Sequence, residues 1–141
     1  MPPYLHATPE SGRHFVQHQQ EGPVLMLNLL RFRVQADYTA SPELAPETPI
    51  SGKEAYRTYM ACVQPLLEKV GSQLLFSGKG GNQLIGPEAE QWDLVLLVQH
   101  PSVADFLSFA NDADYLAIAG HRTAALMDSR LLPIQPFQVF A

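Results

Sequence analysis

The chain has 141 residues, which is enough for one domain with a sizeable buried core. Apolar residues make up 46% and charged residues 16%, a globular rather than a disordered composition. The net charge of −5, with no cluster of Lys or Arg to offset it, disfavours nucleic acid and anionic membranes as partners. The single cysteine, Cys62, excludes an internal disulfide, and since no signal peptide or membrane span is apparent we expect a cytoplasmic protein.

The first third of the chain predicts a helix, a strand and a long loop. Thr8 can cap a helix that starts at Pro9 and runs to about Gln19, so residues 1–22 form an N-terminal helical extension. The apolar run Val24–Phe32 predicts a strand. Residues 34–50 contain three prolines and predict an irregular loop, long enough to serve as a lid or as an arm towards a second subunit.

The rest of the chain predicts two more helical regions and further strands. Ser51 and Glu54 match a capping box that opens the second helix. The predicted elements, in chain order, are a helix to about Val70, a strand at Gln73–Lys79, a short strand at Gln83–Ile85, a strand at Trp92–His100, a helix from Ser102 to Asn111, a helix at Asp114–Met127 and an edge strand at Leu131–Val139. This order, β-α-β-β-α-β behind a leading helix, predicts an α+β ferredoxin-like fold with a four-stranded antiparallel sheet and helices on one face.

Two of the predicted strands are apolar on both sides. In the first, one side carries Leu25, Leu27 and Leu29, and the other carries Val24, Met26, Leu30 and Phe32. The Trp92–His100 strand shows the same property. Helices can cover only one face of the sheet, and soluble monomers avoid large exposed apolar patches. We therefore expect a homodimer in which a second copy covers the other face of the sheet. The alternative is that the leading helix and the 34–50 loop fold over that face.

Four segments of the chain are distinctive: LNLLRF with Asn28, AYRTYM, LLFSGKG, and HPSVADFLSFANDADYLAIAGHRTAALMDSRLL, which contains Arg122. They resemble the DUF1330 family of small uncharacterised proteins in the dimeric α+β barrel superfamily. The likeness covers about residues 23–135, and the leading helix and the 34–50 loop look like additions to a minimal member. It implies one DUF1330-like domain over residues 1–141, folded as a dimeric α+β barrel. It implies no reaction.

Two polar residues on apolar faces are candidates for a binding site. Arg122 lies on the apolar stripe of the last predicted helix, and a guanidinium there needs a partner. The partner is either the carboxylate or other anion of a ligand inside the barrel, or a structural carboxylate such as Asp93, Asp112 or Asp128. A third possibility is that the side chain snorkels to water at the edge of the helix. Asn28 interrupts the first strand, and its amide needs either a ligand or neighbouring backbone.

Four further residues combine apolar bodies with polar groups. Trp92, Tyr56 and Tyr59 are candidates for lining a ligand pocket, with ordinary packing, or a dimer interface for Trp92, as the alternative. His121 neighbours Arg122 and is a candidate general base, although a solvent-facing histidine fits the same position.

The sequence offers no metal site that we would predict. His14 and His18 have the i, i+4 spacing of metal ligands, but no third ligand completes them. Folds of this superfamily include monooxygenases that need little cofactor, isomerases and haem-degrading enzymes. The helix histidine of the haem-degrading group would align near Ala119, so we expect neither haem nor another cofactor.

The function that we predict is binding of a small molecule in the barrel cavity. The alternatives are a non-catalytic structural or stress-related dimer, and a cofactor-independent enzyme of the monooxygenase or isomerase kind. Fold alone does not choose among them.

Overall fold

The computed structural model describes residues 3–18 and 21–139. The elements in these ranges are α1 (Pro9–Gln17), β1 (Val24–Phe32), a short 3-10 helix (Pro42–Leu44), α2 (Gly52–Lys69), β2 (Gln73–Lys79), β3 (Leu94–His100), α3 (Val103–Ala110), α4 (Ala113–Ile118), α5 (Gly120–Ala125) and β4 (Leu126–Ile134). Of the helices in these ranges, none combines the length and the hydropathy needed to cross a bilayer.

The four strands form one antiparallel sheet in the order β2-β3-β1-β4. Together with the intervening helices this is the predicted ferredoxin-like β-α-β-β-α-β arrangement. The helices pack on a single face of the sheet, which we call the inner face. There Tyr56, Tyr59 and Val63 of α2 join Leu30 and Leu96 of the central strands in the main apolar core. The prediction of an α+β fold with one helix-covered face is confirmed.

Local signals determine where α2 begins and ends. The Ser51 hydroxyl accepts a hydrogen bond from the Glu54 backbone N–H at 3.1 Å, as the capping pattern predicts. Gly71 follows the helix with φ of +76°, a conformation that glycine adopts without steric cost. This tight exit places Ser72 directly before β2, where it is buried against the end of β3.

The prediction was wrong about the end of the chain. The helix expected at Asp114–Met127 breaks at Ala119, and Leu126 already begins β4. The strand therefore covers Leu126–Ile134 rather than Leu131–Val139. The physical reason is pairing with β1, where Leu132 lies opposite Leu27, and this pairing outweighs the helical preference of the residues that open the strand. The edge position predicted for the last strand is confirmed.

Other predicted boundaries also changed. The short strand expected at Gln83–Ile85 does not form, and Leu84 and Ile85 are almost fully exposed in the connection between β2 and β3. β3 begins at Leu94 instead of Trp92. Thr8 caps α1 through reciprocal hydrogen bonds with Ser11, but the helix ends at Gln17, and the end predicted at Gln19 lies outside the described residues.

The 34–50 loop packs against its own chain. The Ala36 N–H donates to the Ile50 carbonyl at 2.9 Å, and the Asp37 N–H donates to the carbonyl of Ala124 in α5 at the same distance. The loop thus lies along the end of the helix layer. Its role as a lid or as a dimer arm stays a prediction.

The outer face of the sheet carries a continuous apolar row. Phe76 pairs with Leu97, Leu97 with Leu27, and Leu27 with Leu132, so the row crosses all four strands. Phe76 and Leu132 are more than half exposed, with relative exposures of 58% and 56%. Every described helix that packs on the sheet does so on the inner face, so this row has no cover within the described residues.

Candidate functional site

A cavity of about 1230 Å³ lies between the inner face of the sheet and the helices. Its floor is formed by β1 and β3, and α1, α2, α3 and the N-terminal segment form the walls. The lining is mostly apolar, with residues such as Met26, Val63, Val98 and Phe106. The sequence predicted a small-molecule site in the barrel cavity, and the cavity found here is lined by the helices and the sheet of one chain.

Arg122 reaches the cavity from α5. Its Nη1 donates to the Leu5 carbonyl at 2.9 Å, and its Nη2 lies 3.4 Å from the Ser129 hydroxyl. Both acceptors are neutral, and no salt bridge of Arg122 occurs within residues 3–18 and 21–139. The half-buried guanidinium therefore has no carboxylate counter-ion among the described residues, although it lies next to a mostly apolar cavity.

The three carboxylates that the sequence offered to Arg122 have other partners. Asp93 accepts a hydrogen bond from the Phe32 backbone N–H. Asp112 pairs with Lys69 at 3.0 Å. Asp128 pairs with Arg130 at 2.8 Å and accepts the Tyr4 backbone N–H. The prediction of a structural ion pair with one of these residues was wrong.

Three tyrosines, Tyr56, Tyr59 and Tyr115, line the same cavity. Tyr56 and Tyr59 lie on the inward side of α2, and the Tyr59 hydroxyl lies 2.9 Å from that of Tyr115 on α4. Burial raises the pKa of Tyr56 and of Tyr59, and the nearby charge of Arg122 acts in the opposite direction. These phenols therefore stay protonated at neutral pH and can donate hydrogen bonds.

Asn28 lies in the middle of β1 and also lines the cavity. Its Nδ2 donates to the Met26 carbonyl at 3.2 Å, so neighbouring backbone satisfies part of the amide. This is one of the two partners that the sequence left open for Asn28. Of the six predicted site residues, the structure thus brings Asn28, Tyr56, Tyr59 and Arg122 to one cavity.

Trp92 and His121 lie elsewhere. The Trp92 ring is buried under the Arg130 guanidinium, which is 5.0 Å from the ring centroid, and it does not line the cavity. His121 is half-buried, and its Nδ1 lies 2.8 Å from the hydroxyl of Tyr38 in the 34–50 loop. Burial lowers the pKa of His121. This histidine attaches the loop to α5 rather than facing solvent freely.

His100 lines the cavity and was missed by the sequence analysis. It is only 2% exposed, and its Nδ1 lies 2.6 Å from the Ser72 hydroxyl. The signal was present, because the alternation Leu96, Val98, His100 places a polar residue on an otherwise apolar strand face. The same rule had singled out Asn28.

His14 of α1 and His18, the residue that follows α1, do not form a metal site in the described ranges. The rings of His14 and His18 stack with centroids 4.1 Å apart, and the His18 Nδ1 hydrogen bonds to the His14 carbonyl. Within those ranges no group of three possible ligands comes together. Both residues lie at the rim of the cavity.

The chain matches the model of a known protein family. The DUF1330 family, described as a domain of unknown function, matches residues 47–133. This range includes α2, Tyr115 and Arg122, but it leaves out β1 with Asn28. No curated protein matches the chain.

Solved structures with the same fold are also of unknown function. Two structures of the RPA0582 protein of Rhodopseudomonas palustris are 34% identical to this chain; the methylated form has a TM-score of 0.88 and covers 100% of both chains. The second has a TM-score of 0.86 and covers 96% of this chain and 98% of that one. A dimeric ferredoxin-like protein from Jannaschia sp. CCS1 is 12% identical, with a TM-score of 0.52 over 82% of this chain and 100% of that one, and this likeness shows the fold alone.

Proposed function

This chain belongs to the DUF1330 family, and we propose that it binds a small molecule with an apolar body and a carboxylate or similar anionic group in the cavity between helices and sheet. The observation that carries the proposal is Arg122. A guanidinium that is partly removed from water is costly unless it is paired with an anion. In the described chain its only partners are a carbonyl and a hydroxyl, so a ligand anion would complete its coordination.

The surroundings of Arg122 fit an anionic group. The buried phenols of Tyr56 and Tyr59 stay neutral, and with the neighbouring Tyr115 hydroxyl they can donate hydrogen bonds, which strengthen the binding of a carboxylate in a site of low polarity. Most of the remaining lining is apolar and accommodates a hydrocarbon or aromatic body. A mostly apolar pocket with a few convergent polar groups is the usual form of a small-molecule site.

The test compares carboxylates with neutral analogues of the same length. Saturated fatty acids from octanoate to palmitate, and the matching primary alcohols, are titrated into the protein by calorimetry and by thermal shift. We expect the acids to bind more tightly than the alcohols by roughly tenfold or more, the usual gain from a charged hydrogen bond.

Matched arginine variants assign the effect. Arg122→Met keeps the length of the side chain and removes its charge, and it should abolish the preference for acids. Arg57→Met, on the exposed side of α2, should leave the preference unchanged. Equal binding of acids and alcohols to the unmodified protein, or an unchanged preference in Arg122→Met, would disprove the proposal.

We further propose that the chain forms a homodimer through the outer face of its sheet. The support is the apolar row Phe76, Leu97, Leu27 and Leu132, which has no cover in the described residues. Burying such a row gains about 25 cal/mol per Å² before the cost of association. The Jannaschia protein of similar fold is described as dimeric.

A further inference from the structure

The pair of Ser72 and His100 lies at one end of the cavity. The turn at Gly71 brings Ser72 beside the last residue of β3, and the two side chains are joined at 2.6 Å. The imidazole is held edge-on against Phe106, with ring centroids 5.0 Å apart, and close to Phe109 at 5.8 Å. The ring is therefore fixed in position and orientation.

One nitrogen of His100 is engaged and the other faces open space. Nδ1 is bonded to Ser72, while Nε2 has no hydrogen-bond partner in the described part of the chain. Nε2 nevertheless keeps some accessible surface, because the fully buried side-chain atoms that lack a partner are others. Because the residue is only 2% exposed and lines the cavity, the cavity is the route by which Nε2 is reached.

The hydroxyl of Ser72 determines the tautomer. If Nδ1 carried the proton and donated it, the buried Ser72 hydroxyl would be left without an acceptor, because no other partner of its oxygen occurs in the described residues. An unmade hydrogen bond of a buried group is costly. Ser72 therefore donates to Nδ1, and Nε2 carries the proton and points an N–H donor at the cavity.

His100 offers this donor in the neutral state. Burial lowers the pKa of His100 to about 4, and the charge of Asp105 only partly opposes this effect. At neutral pH the ring carries no positive charge, so it suits a neutral oxygen acceptor rather than a second carboxylate.

The two polar ends of the cavity are far apart. The position of each end can be measured along β1. Ser129, which contacts Arg122, lies opposite Leu30, and His100 lies opposite Val24. Six residues of an extended strand correspond to about 20 Å at ~3.3 Å per residue. A single molecule that reaches both ends has to be elongated.

We infer that His100 is a second binding residue, whose Nε2–H donates a hydrogen bond to a carbonyl or hydroxyl oxygen near the far end of an elongated carboxylate held by Arg122. The inference rests on the proposed function and specifies its ligand class as long-chain hydroxy- or oxo-carboxylates. Ser72 acts as a positioning residue, because it fixes the tautomer of His100 without lining the cavity itself.

The experiment compares ω-hydroxypalmitate with palmitate, and the quantity measured is the ratio of their dissociation constants. Two variants remove the N–H donor at the position of Nε2. His100→Asn does so while keeping a polar partner for Ser72, and the second is the double variant that combines His100→Phe with Ser72→Ala. In both we expect the ratio to shift against ω-hydroxypalmitate by roughly tenfold, with palmitate little affected. His100→Gln, whose amide nitrogen reaches close to the position of Nε2, should keep most of the preference of the unmodified protein.

The possible outcomes separate this inference from the proposed function. One outcome is that palmitate binding depends on Arg122, but the ratio of the two dissociation constants in the Asn, Gln and double variants equals that of the unmodified protein. In that case the role of His100 is overturned and the anion site remains. Equal weakening of both ligands also overturns it, since His100 would then only shape the cavity. If no carboxylate binds the unmodified protein, the proposed function fails and takes the inference with it.

Discussion

His100 makes the stability of the protein depend on pH. In the unfolded chain a histidine titrates near its ordinary pKa of 6.5, whereas burial lowers the pKa of His100 in the folded protein to about 4. Between these values the unfolded chain takes up a proton that the folded chain does not, so the free energy of unfolding falls as the pH falls. The contribution is complete above pH 6.5 and lost by about pH 4, and it amounts to roughly 3 kcal/mol.

Urea denaturation at a series of pH values measures this contribution. The slope of unfolding free energy against pH in this range should be smaller in the double variant His100→Phe, Ser72→Ala. His121 contributes in the same direction because burial lowers its pKa too, and His121→Phe isolates its share. If the double variant has the same slope as the unmodified protein, His100 does not titrate as described.

Polar residues on apolar faces were the part of the site that the sequence could reveal. Arg122 and Asn28 were found in this way, and both line the cavity. The partners of Arg122 could not be found, because Leu5 is 117 residues distant and Ser129 lies in a strand whose start was misplaced. Neither local pattern nor composition carries information about such contacts, which arise only when β4 and the N-terminal segment meet.

At the level of elements, the start of α2 is held by a close approach of three segments. The Gly52 backbone N–H donates to the Arg33 carbonyl at 3.1 Å, and a Cβ at Gly52 would lie against the carbonyl oxygens of Arg33 and Ala125. Backbone atoms of a strand end and of α5 cannot move aside without cost. We expect Gly52→Ala to destabilise the fold by about 1–3 kcal/mol, the usual effect of overpacking.

A second glycine provides the control. Gly12 lies in α1, and a Cβ there would meet no atom within 4 Å. Gly12→Ala should leave the stability unchanged or raise it slightly, since alanine is the better helix former by about 1 kcal/mol. Thermal and urea unfolding of both variants check the contrast. Equal stability of Gly52→Ala and Gly12→Ala would show that the junction at Gly52 yields easily.

Elements with a local start signal or a clearly bounded apolar run were predicted well, whereas the region after Ala119 was not. β1 was placed at its observed bounds, and the start of α2 at Ser51 was confirmed by its cap. The region after Ala119 failed because alanine, leucine and methionine favour helix locally, while the structure uses Leu126–Ile134 as an edge strand. Tertiary pairing decides such segments, and a sequence without an alignment does not contain that information.

For the whole molecule, the two faces of the sheet have separate roles in our proposals. The cavity and its polar groups lie on the inner face, and the apolar row Phe76, Leu97, Leu27, Leu132 lies on the outer face. Every residue that we assign to ligand binding comes from one chain. Phe76→Glu, at an exposed residue of the row that does not line the cavity, should therefore separate the subunits and keep the preference for carboxylates. Loss of that preference in a folded monomer would show that the site needs the partner.

Leu132→Glu is the variant that tests the dimer. It puts a charge on the exposed edge strand at one end of the apolar row, where a second copy would remove the carboxylate from water without a partner. Sedimentation equilibrium at micromolar concentration should give about twice the 15.6 kDa chain mass for the unmodified protein and the chain mass for Leu132→Glu. Leu116→Glu makes the same exchange at an exposed position of α4 in the helix layer, and it should leave the dimer intact. A monomer for the unmodified protein, or an undiminished dimer for Leu132→Glu, would mean that something other than a second copy of this face covers the apolar row.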